Sequence, residues 1–512
     1  MLNFARSGIA DQALRATAVA AAICTVVLLT VAPLSSNDFW LQVTIGGMIW
    51  NSGEIPDTVL FAFTEARDYP FHAHEWLVSI VFYLLHEALG YDQLIWVKGA
   101  LGIALFALCF RLAHRLTSSL PVSLFLAIVT MAVANYRHFM RPEIFACLFL
   151  LILLNLLAEY QLTRRRQFLA WIVPLALVWA NSHGSFPIAL VIVACIGAGE
   201  GITAAFADKG APGRARLQAA ILAARPYFIC CAATFLATLV NPYGYQLYLF
   251  AWDFAQWAVT REYIIEWVST FSPHFAQTRG FWAYLGFLVL CLAVVITCRR
   301  NVRAADVLLL VAFGYLSTDR QRHVVLFAFV SLYVLARVIG PVAIGPRATR
   351  GALALLLVLL LAGGGMVLRY GNLQGEHPYN VSSRKFTPQL IEYVENRDLR
   401  GNVFNSFELG AELVHKFYPR LRPAIDSRID AYGERYYEYY SQLYSDERLL
   451  LDFIAHYDVR YMLLLWWEFE RIRQMPQLPL TGWRMLFADH KMVLLGHGDR
   501  VAPQPRRPGA EP

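Results

Sequence analysis

Acidic and imidazole side chains stand at the two ends of the loop that follows the first apolar run of this chain. Asp38 follows that run by a few residues, and His74 and Glu75 stand just before the next one. Carboxylates and imidazoles are costly to hold at a membrane surface, and both groups serve acid–base chemistry. The loop at residues 35–76 is therefore the first candidate for the functional site, with Asp38 and Glu75 as its candidate catalytic carboxylates.

Cationic side chains recur at the ends of later apolar runs. The basic loops that connect the opposite ends of these apolar runs are assigned to the cytoplasm. The cationic side chains then all lie on the other side of the membrane, which the positive-inside rule depletes of cations. Arginine and histidine there suit the clamping of a phosphate or pyrophosphate. Taken singly, each residue is equally well read as an ordinary helix end where a long side chain reaches the interface. The predicted binding residues are His74, Arg137, Arg141, His183, Arg320, Arg322 and His323, with His138 and Asp319 beside them.

Arg141 has a local argument of its own. Proline is tolerated in the first turn of a helix, so Arg141 is predicted to stand directly before a span beginning at Pro142. A guanidinium beside a helix N-terminus makes a good anion site. The alternative is a structural ion pair between Arg141 and Glu143.

The C-terminal third carries a third polar group. Asp426, Arg428 and Asp430 alternate with Ser427 and Ile429, so they share one face if the segment is extended. Such a row forms either a structural salt-bridge lattice or an edge that binds the acceptor. If it binds the acceptor, Asp426 and Arg428 belong to the candidate binding residues.

Composition defines the class of protein. Of 512 residues, 57% are hydrophobic and 16% charged, whereas a soluble domain has about 25% charged residues. Apolar runs of spanning length predict a polytopic α-helical membrane protein with about 11–13 transmembrane helices. The net charge of +7 comes from basic loops between those runs, which indicates topology and excludes nucleic acid as the expected partner. The eight cysteines lie in or beside apolar segments, so neither disulfide nor metal ligand is assigned.

The elements divide into three predicted regions. Residues 1–370 form the transmembrane domain, including the first external loop 35–76 and an aromatic insert at 241–279 whose Trp252, Trp257, Tyr263 and Trp267 suit the headgroup level. The run 76–90 is short for a span and is expected to dip into the membrane or lie at its interface. Residues 371–497 alternate β-type and helical patterns, which predicts a soluble α/β domain. The Pro-rich tail 498–512 is expected to be disordered.

The order of several short motifs resembles the GT-C superfamily, the membrane glycosyltransferases that use polyprenyl-phosphate-linked sugars, and among them bacterial proteins related to the protein mannosyltransferase and lipid A arabinose transferase families. The resemblance covers residues from about 35 to 495. It rests on Asn37, Asp38 and Trp40; Gly53, Ile55, Pro56 and Thr58; HEWL from His74; RPE from Arg141; WANSHG from Trp179; NPYG from Asn241; and the run ending DSRIDAY at Tyr432.

The resemblance implies an inverting glycosyltransferase with a GT-C-like fold, in which the first external loop supplies an acidic catalytic residue, here Asp38, as the general base. The donor would be a polyprenyl-phosphate sugar held in the membrane lipid, and the acceptor an envelope glycan, lipid or protein. No cofactor is expected, and the sequence leaves a divalent metal undecided. The expected location is the bacterial inner membrane, with the C-terminal domain extracytoplasmic. Two alternatives stay open: a transporter or flippase of a lipid-linked or anionic precursor, and a catalytically inactive envelope-assembly protein.

Overall fold

The computed structural model describes residues 2–30, 37–137, 140–208, 210–257, 265–373, 385–476 and 482–498. The predicted His138, Tyr263 and all of the tail beyond Gly498 lie outside these residues. By packing, the chain divides into two units, which are described separately. The helical unit comprises residues 1–34, 91–255 and 260–381, and the sheet unit comprises residues 35–90, 256–259 and 382–512.

The helical unit is built from long apolar helices. Its central helix, α15 (Val324–Ile339), has almost every side chain buried, because its sequence is apolar on all faces. The helices at 94–117, 120–134, 143–163, 279–297 and 304–319 pack against it. Gly199 lets α9 (Pro187–Ala205) approach α14 (Ala304–Asp319) so closely that a Cβ there would lie 2.2 Å from the backbone of Ala305. The helices of this unit are α1 (Leu2–Thr30), α4 (Leu94–Thr117), α5 (Leu120–Ala134), α6 (Glu143–Thr163), α7 (Gln167–Ala170), α8 (Ile172–Ala180), α9 (Pro187–Ala205), α10 (Gly213–Thr238), α11 (Gln246–Gln256), α12 (Pro273–Ala276), α13 (Arg279–Thr297), α14 (Ala304–Asp319), α15 (Val324–Ile339) and α16 (Pro346–Leu373).

Among the described residues, eight helices are long and apolar enough to cross a membrane. Three further apolar segments, at 76–89, 120–134 and 167–180, are shorter. The predicted polytopic α-helical architecture is confirmed, and the predicted 11–13 crossings require these shorter helices to span as well.

The first loop is more ordered than the sequence indicated. Residues 37–52, predicted as loop, form helix α2 (Asn37–Ser52), which packs against α3 (Trp76–Leu89) in the sheet unit. Gly46 makes this possible, since a Cβ there would lie 2.0 Å from the carbonyl oxygen of Ser79. The intervening chain returns on itself through an isolated bridge between Thr58 and Pro70.

The C-terminal part of the sheet unit is the predicted α/β domain. It has five strands in the order β2-β1-β3-β5-β4, in which β1 runs parallel to β2 and β3, while β5 is antiparallel to β3 and β4. The apolar β3, VRYMLLL, is buried at the centre of this sheet, as expected of a strand covered on both faces. The strands are β1 (Gly401–Asn405), β2 (Leu421–Pro423), β3 (Val459–Leu465), β4 (Trp483–Ala488) and β5 (Met492–His497), and the helices are α17 (Pro388–Asn396), α18 (Gly410–Phe417), α19 (Ile429–Tyr432), α20 (Glu434–Gln442), α21 (Glu447–His456) and α22 (Trp466–Arg473).

Candidate functional site

Arginines from two helix connections of the helical unit meet around two glutamates. Arg137 ends the turn after α5, Arg141 stands two residues before α6, and Glu143 is the first residue of α6. Arg137 forms an ion pair with Glu143. Arg137 and Glu143 thus pair across the connection, while Pro142, as the residue before α6, sets the direction in which the helix starts.

Glu266, in the aromatic insert, is the carboxylate that sequence reasoning missed. Its Oε1 lies 2.7 Å from Arg137 Nη1, and the same oxygen accepts a hydrogen bond from Arg141 Nη1. Burial raises the pKa of Glu266, but Arg137 and Arg141 lower it more, so this carboxyl group ionises well below its ordinary range. Glu266 therefore bridges Arg137 and Arg141, and the Arg141–Glu143 pair stays a prediction.

Trp267 carries two further arginines on its ring. The guanidinium carbons of Arg320 and Arg322 lie 4.6 and 4.3 Å from the ring centroid, at distances that favour cation–π attraction. Trp267 is 9% exposed and packs edge-on against Phe254. Its predicted place at the headgroup level, shared with Trp252 and Trp257, stays a prediction.

The turn Gln321–His323 orients the side chains of these two arginines. Arg320 donates to the carbonyl of Ala255, its Nε lies 3.1 Å from Asp319, and the backbone N–H of Gln321 donates to Val268 O. His323 Nδ1 lies 3.2 Å from Leu316 O, so that nitrogen must carry the hydrogen.

His183 occupies the turn between α8 and α9. The backbone N–H of Ser185 donates to His183 Nδ1 at 3.1 Å, which places the hydrogen of the neutral imidazole on Nε2. Glu143 lies within electrostatic range of both His183 and Arg322. These residues form one group, called here the helix-end cluster: Arg137, Arg141, Glu143, His183, Glu266, Arg320 and Arg322.

The helix-end cluster brings together most of the predicted binding residues. Its four guanidinium groups are matched by two carboxylates within the cluster and by Asp319 beside it. Such a group can bind a phosphate through charge-assisted hydrogen bonds, since guanidinium donors fit its oxygens in pairs. No group of three His, Cys, Asp or Glu placed so that it could hold a metal ion exists in the described ranges.

The first loop positions its acids through α2 and α3. Asp38 lies in the first turn of α2 and is partly buried. Glu75 precedes α3, where its Oε2 accepts a hydrogen bond of 2.6 Å from Gln42 of α2, and His74 Nε2 lies 3.8 Å from its Oε1. Glu75 is therefore held between α2 and His74.

Asp430 is electrostatically coupled to the same loop. Burial raises the pKa of Asp430, and the neighbouring His74 and Arg428 offset part of that rise. Burial likewise lowers the pKa of His72, and His74 lowers it further.

Asp426 and Arg428 form a buried pair with two parallel contacts. Arg428 Nε lies 3.0 Å from Asp426 Oδ1 and Nη2 lies 2.7 Å from Oδ2. Arg428 Nη2 also donates to Val59 O in the first loop at 2.6 Å. The expected extended row does not form, because Asp430 already belongs to helix α19. Since Asp426 is fully buried, the geometry supports a structural salt bridge that ties the first loop to the C-terminal domain.

No protein-family profile matches this chain, and no curated protein matches its sequence significantly. Solved structures do match its fold. The oligosaccharyltransferase of Archaeoglobus fulgidus in the apo form aligns at 13% identity with a TM-score of 0.55, covering 88% of this chain and 69% of that chain.

Two further structures of the archaeal enzyme align in the same way. AglB from A. fulgidus in complex with an inhibitory peptide and a dolichol-phosphate has 13% identity, a TM-score of 0.56 and the coverages 88% and 69%. The enzyme tethered to an acceptor peptide containing the NVT sequon has 13% identity, a TM-score of 0.53 and the coverages 88% and 68%. This oligosaccharyltransferase is a member of the GT-C superfamily. The chain is therefore a polytopic membrane protein with a GT-C-like fold, as its motifs predicted.

Proposed function

We propose that this chain is a membrane glycosyltransferase that transfers a sugar from a polyprenyl-phosphate donor to an acceptor hydroxyl, with inversion at the anomeric carbon. The observation that carries the proposal is the helix-end cluster. Four arginines crowded at helix ends of a polytopic protein are costly to maintain, and such groups mark the binding of an anion. A similar structure that contains a dolichol-phosphate supports a lipid phosphate as that anion.

In the proposed reaction, Asp38 removes the proton of the acceptor hydroxyl. The acceptor oxygen attacks the anomeric carbon from the face opposite the phosphate, and the bond between that carbon and the phosphate oxygen breaks. Polyprenyl phosphate leaves with the electron pair. Its growing negative charge is stabilised by Arg137, Arg141, Arg320 and Arg322, while His183 donates from Nε2 to a phosphate oxygen.

The remaining predicted residues position these groups. His74 and Glu75 fix the α2–α3 pair that carries Asp38, and the Asp426–Arg428 pair anchors the first loop through Val59. His323 orients the turn that carries Arg322. We place the reaction on the periplasmic side of a bacterial inner membrane, with an envelope glycan, lipid or protein as acceptor and residues 371–497 extracytoplasmic.

The test is a transfer assay in proteoliposomes. The donors are undecaprenyl-phosphate-linked hexoses and pentoses, the acceptors are envelope fractions, and the product is undecaprenyl phosphate measured by mass spectrometry. Asp38→Asn removes the base while keeping the shape of the side chain, so turnover should fall by roughly 100- to 10,000-fold, the usual contribution of general base catalysis.

The matched control is Glu54→Gln, an exposed carboxylate of the same loop segment that should leave turnover within about twofold, as surface changes usually do. Thermal unfolding of each variant confirms that it is folded. Full turnover by folded Asp38→Asn would eliminate Asp38 as the base.

A further inference from the structure

Five arginines of the sheet unit line one cavity of about 480 Å³, called here the arginine pocket. None of them belongs to the helix-end cluster, and none has a role in the proposed transfer. The lining residues are Arg67, Arg400, Gly401, Asn402, Tyr418, Pro419, Arg420, Arg422, Asp458 and Arg460.

The pocket arises from the way the sheet is connected. Strands β1, β2 and β3 are adjacent and parallel, so their N-terminal ends meet at the same edge. Each of these strands has arginine at or beside its first residue. Arg400 precedes β1, Arg420 and Arg422 flank the first residue of β2, and Arg460 is the second residue of β3. Parallel pairing thus gathers three basic segments that are distant in the sequence, and the first loop adds Arg67.

The backbone leaves room for one of these arginines. Gly401 has a φ of +141°, and a Cβ built there would lie 2.6 Å from Cδ of Arg460. Any other residue at position 401 would therefore displace the Arg460 side chain, in addition to straining the backbone.

The pocket keeps an excess of positive charge. Asp398, next to the pocket, pairs with Arg400 at 2.9 Å, and Asp458 pairs with Arg460 at 3.2 Å. Both carboxylates are more than half exposed, so water screens these pairs strongly. Five guanidinium groups around two carboxylates favour an anion with several oxygens, and a phosphate fits paired guanidinium donors best.

The rest of the cavity indicates a second requirement of the ligand. Asp458 lines it, and a carboxylate accepts hydrogen bonds from hydroxyl groups. The volume of about 480 Å³ also exceeds what a lone phosphate fills and falls within the range of small-molecule sites.

We propose that the arginine pocket binds a small phosphorylated polyol, either a soluble sugar phosphate or the phosphoglycerol headgroup of a lipid. In both sources the phosphate lies among Arg422, Arg460 and Arg67, and a hydroxyl group donates to the carboxylate of Asp458. This inference does not depend on the proposed transfer, because binding is measured without turnover.

The test uses the full chain in phosphatidylcholine nanodiscs and measures equilibrium binding by calorimetry. The probes are glucose 1-phosphate, neutral glucose, and dihexanoyl phosphatidylglycerol, with dihexanoyl phosphatidylcholine as the headgroup control. The double variant Arg422→Gln/Arg460→Gln removes two pocket cations at surface positions where folding tolerates change. Arg448→Gln, an exposed arginine of α21 outside the pocket, is the matched control.

Wild type and Arg448→Gln should bind at least one of the two phosphate probes saturably, and the double variant should bind it at least tenfold more weakly. Binding of glucose 1-phosphate assigns the soluble source, and binding of the phosphatidylglycerol headgroup alone assigns the lipid source. Binding of neither probe, equal binding by the double variant, or equally strong binding of glucose would overturn the proposal.

Discussion

The helix-end cluster and the arginine pocket gather similar numbers of guanidinium groups in opposite ways. In the cluster, Arg137 and Arg320 are almost entirely buried, and each contacts a carboxylate. In the pocket, Arg400 and Arg460 are largely exposed, and their aspartates are exposed as well. Burial makes the carboxylates of the cluster essential, because a charge removed from water without compensation costs several kcal/mol.

The comparison extends to the function of each group. A buried, nearly balanced cluster is fixed in place before any ligand arrives, which suits the stabilisation of charge that develops during a reaction. An exposed group with excess charge gives affinity for an anion that is already charged. We therefore assign chemistry to the first group and binding alone to the second.

The largest expected loss of stability is that of Glu266→Gln in the helix-end cluster. The substitution keeps the shape of the side chain but leaves Arg137 and Arg141 without their shared carboxylate, so the free energy of unfolding should fall by about 3 kcal/mol. Thermal unfolding in detergent measures the loss.

The matched control is Asp458→Asn in the arginine pocket, where an exposed pair contributes at most about 1 kcal/mol. Equal losses in the two variants would show that burial does not distinguish the two groups.

Glu468→Gln sharpens the comparison with a pH-dependent effect of the opposite sign. Glu468 is buried, whereas Glu266 is partly exposed, and Glu468 has no arginine ion pair among the described residues. Burial raises the pKa of its carboxyl group to about 7, although bonds to Leu465 and Ser406 oppose the rise. In the unfolded chain a glutamate ionises near ~4.3. Between these values the folded state binds more protons, so stability should fall as pH rises from about 4.3 to about 7.

Removing this ionisable group should remove that slope. Glu468→Gln should match the stability of wild type near pH 4 and exceed it by up to about 3.5 kcal/mol at pH 8, the equivalent of the pKa difference. Unfolding temperatures measured across this pH range provide the check. An unchanged slope in the variant would contradict the assigned pKa.

The sequence predicted elements whose signal is local. The predicted alternation of β-type and helical patterns in residues 371–497 corresponds to strands β1, β3, β4 and β5 and to helices such as α17, which Thr387 caps by accepting from Leu390 N. Strand β2 was missed, because three residues give no periodic signal. Helix α2 was predicted to be part of a loop, because its sequence contains polar residues and glycines. These glycines are explained only by the close packing of α2 on α3.

The sites divide in the same way. Arg137, Arg141, His183, Arg320 and Arg322 could be predicted because each stands at the end of an apolar run. Glu266 could not, since its role depends on a tertiary contact with Arg137 across more than a hundred residues. The arginine pocket was equally hidden, because three basic strand starts become neighbours only when the strand order is known.

Binding of undecaprenyl phosphate to the purified chain tests the central claim most directly. Arg141 is a partly exposed arginine of the helix-end cluster, so Arg141→Gln removes a reachable phosphate ligand while Arg137 keeps its contact with Glu266. We expect wild type and the exposed control Arg214→Gln to bind alike and Arg141→Gln to bind about tenfold more weakly, the equivalent of about 1.4 kcal/mol. Equal affinity in all three proteins, or no saturable binding to wild type, would contradict the account.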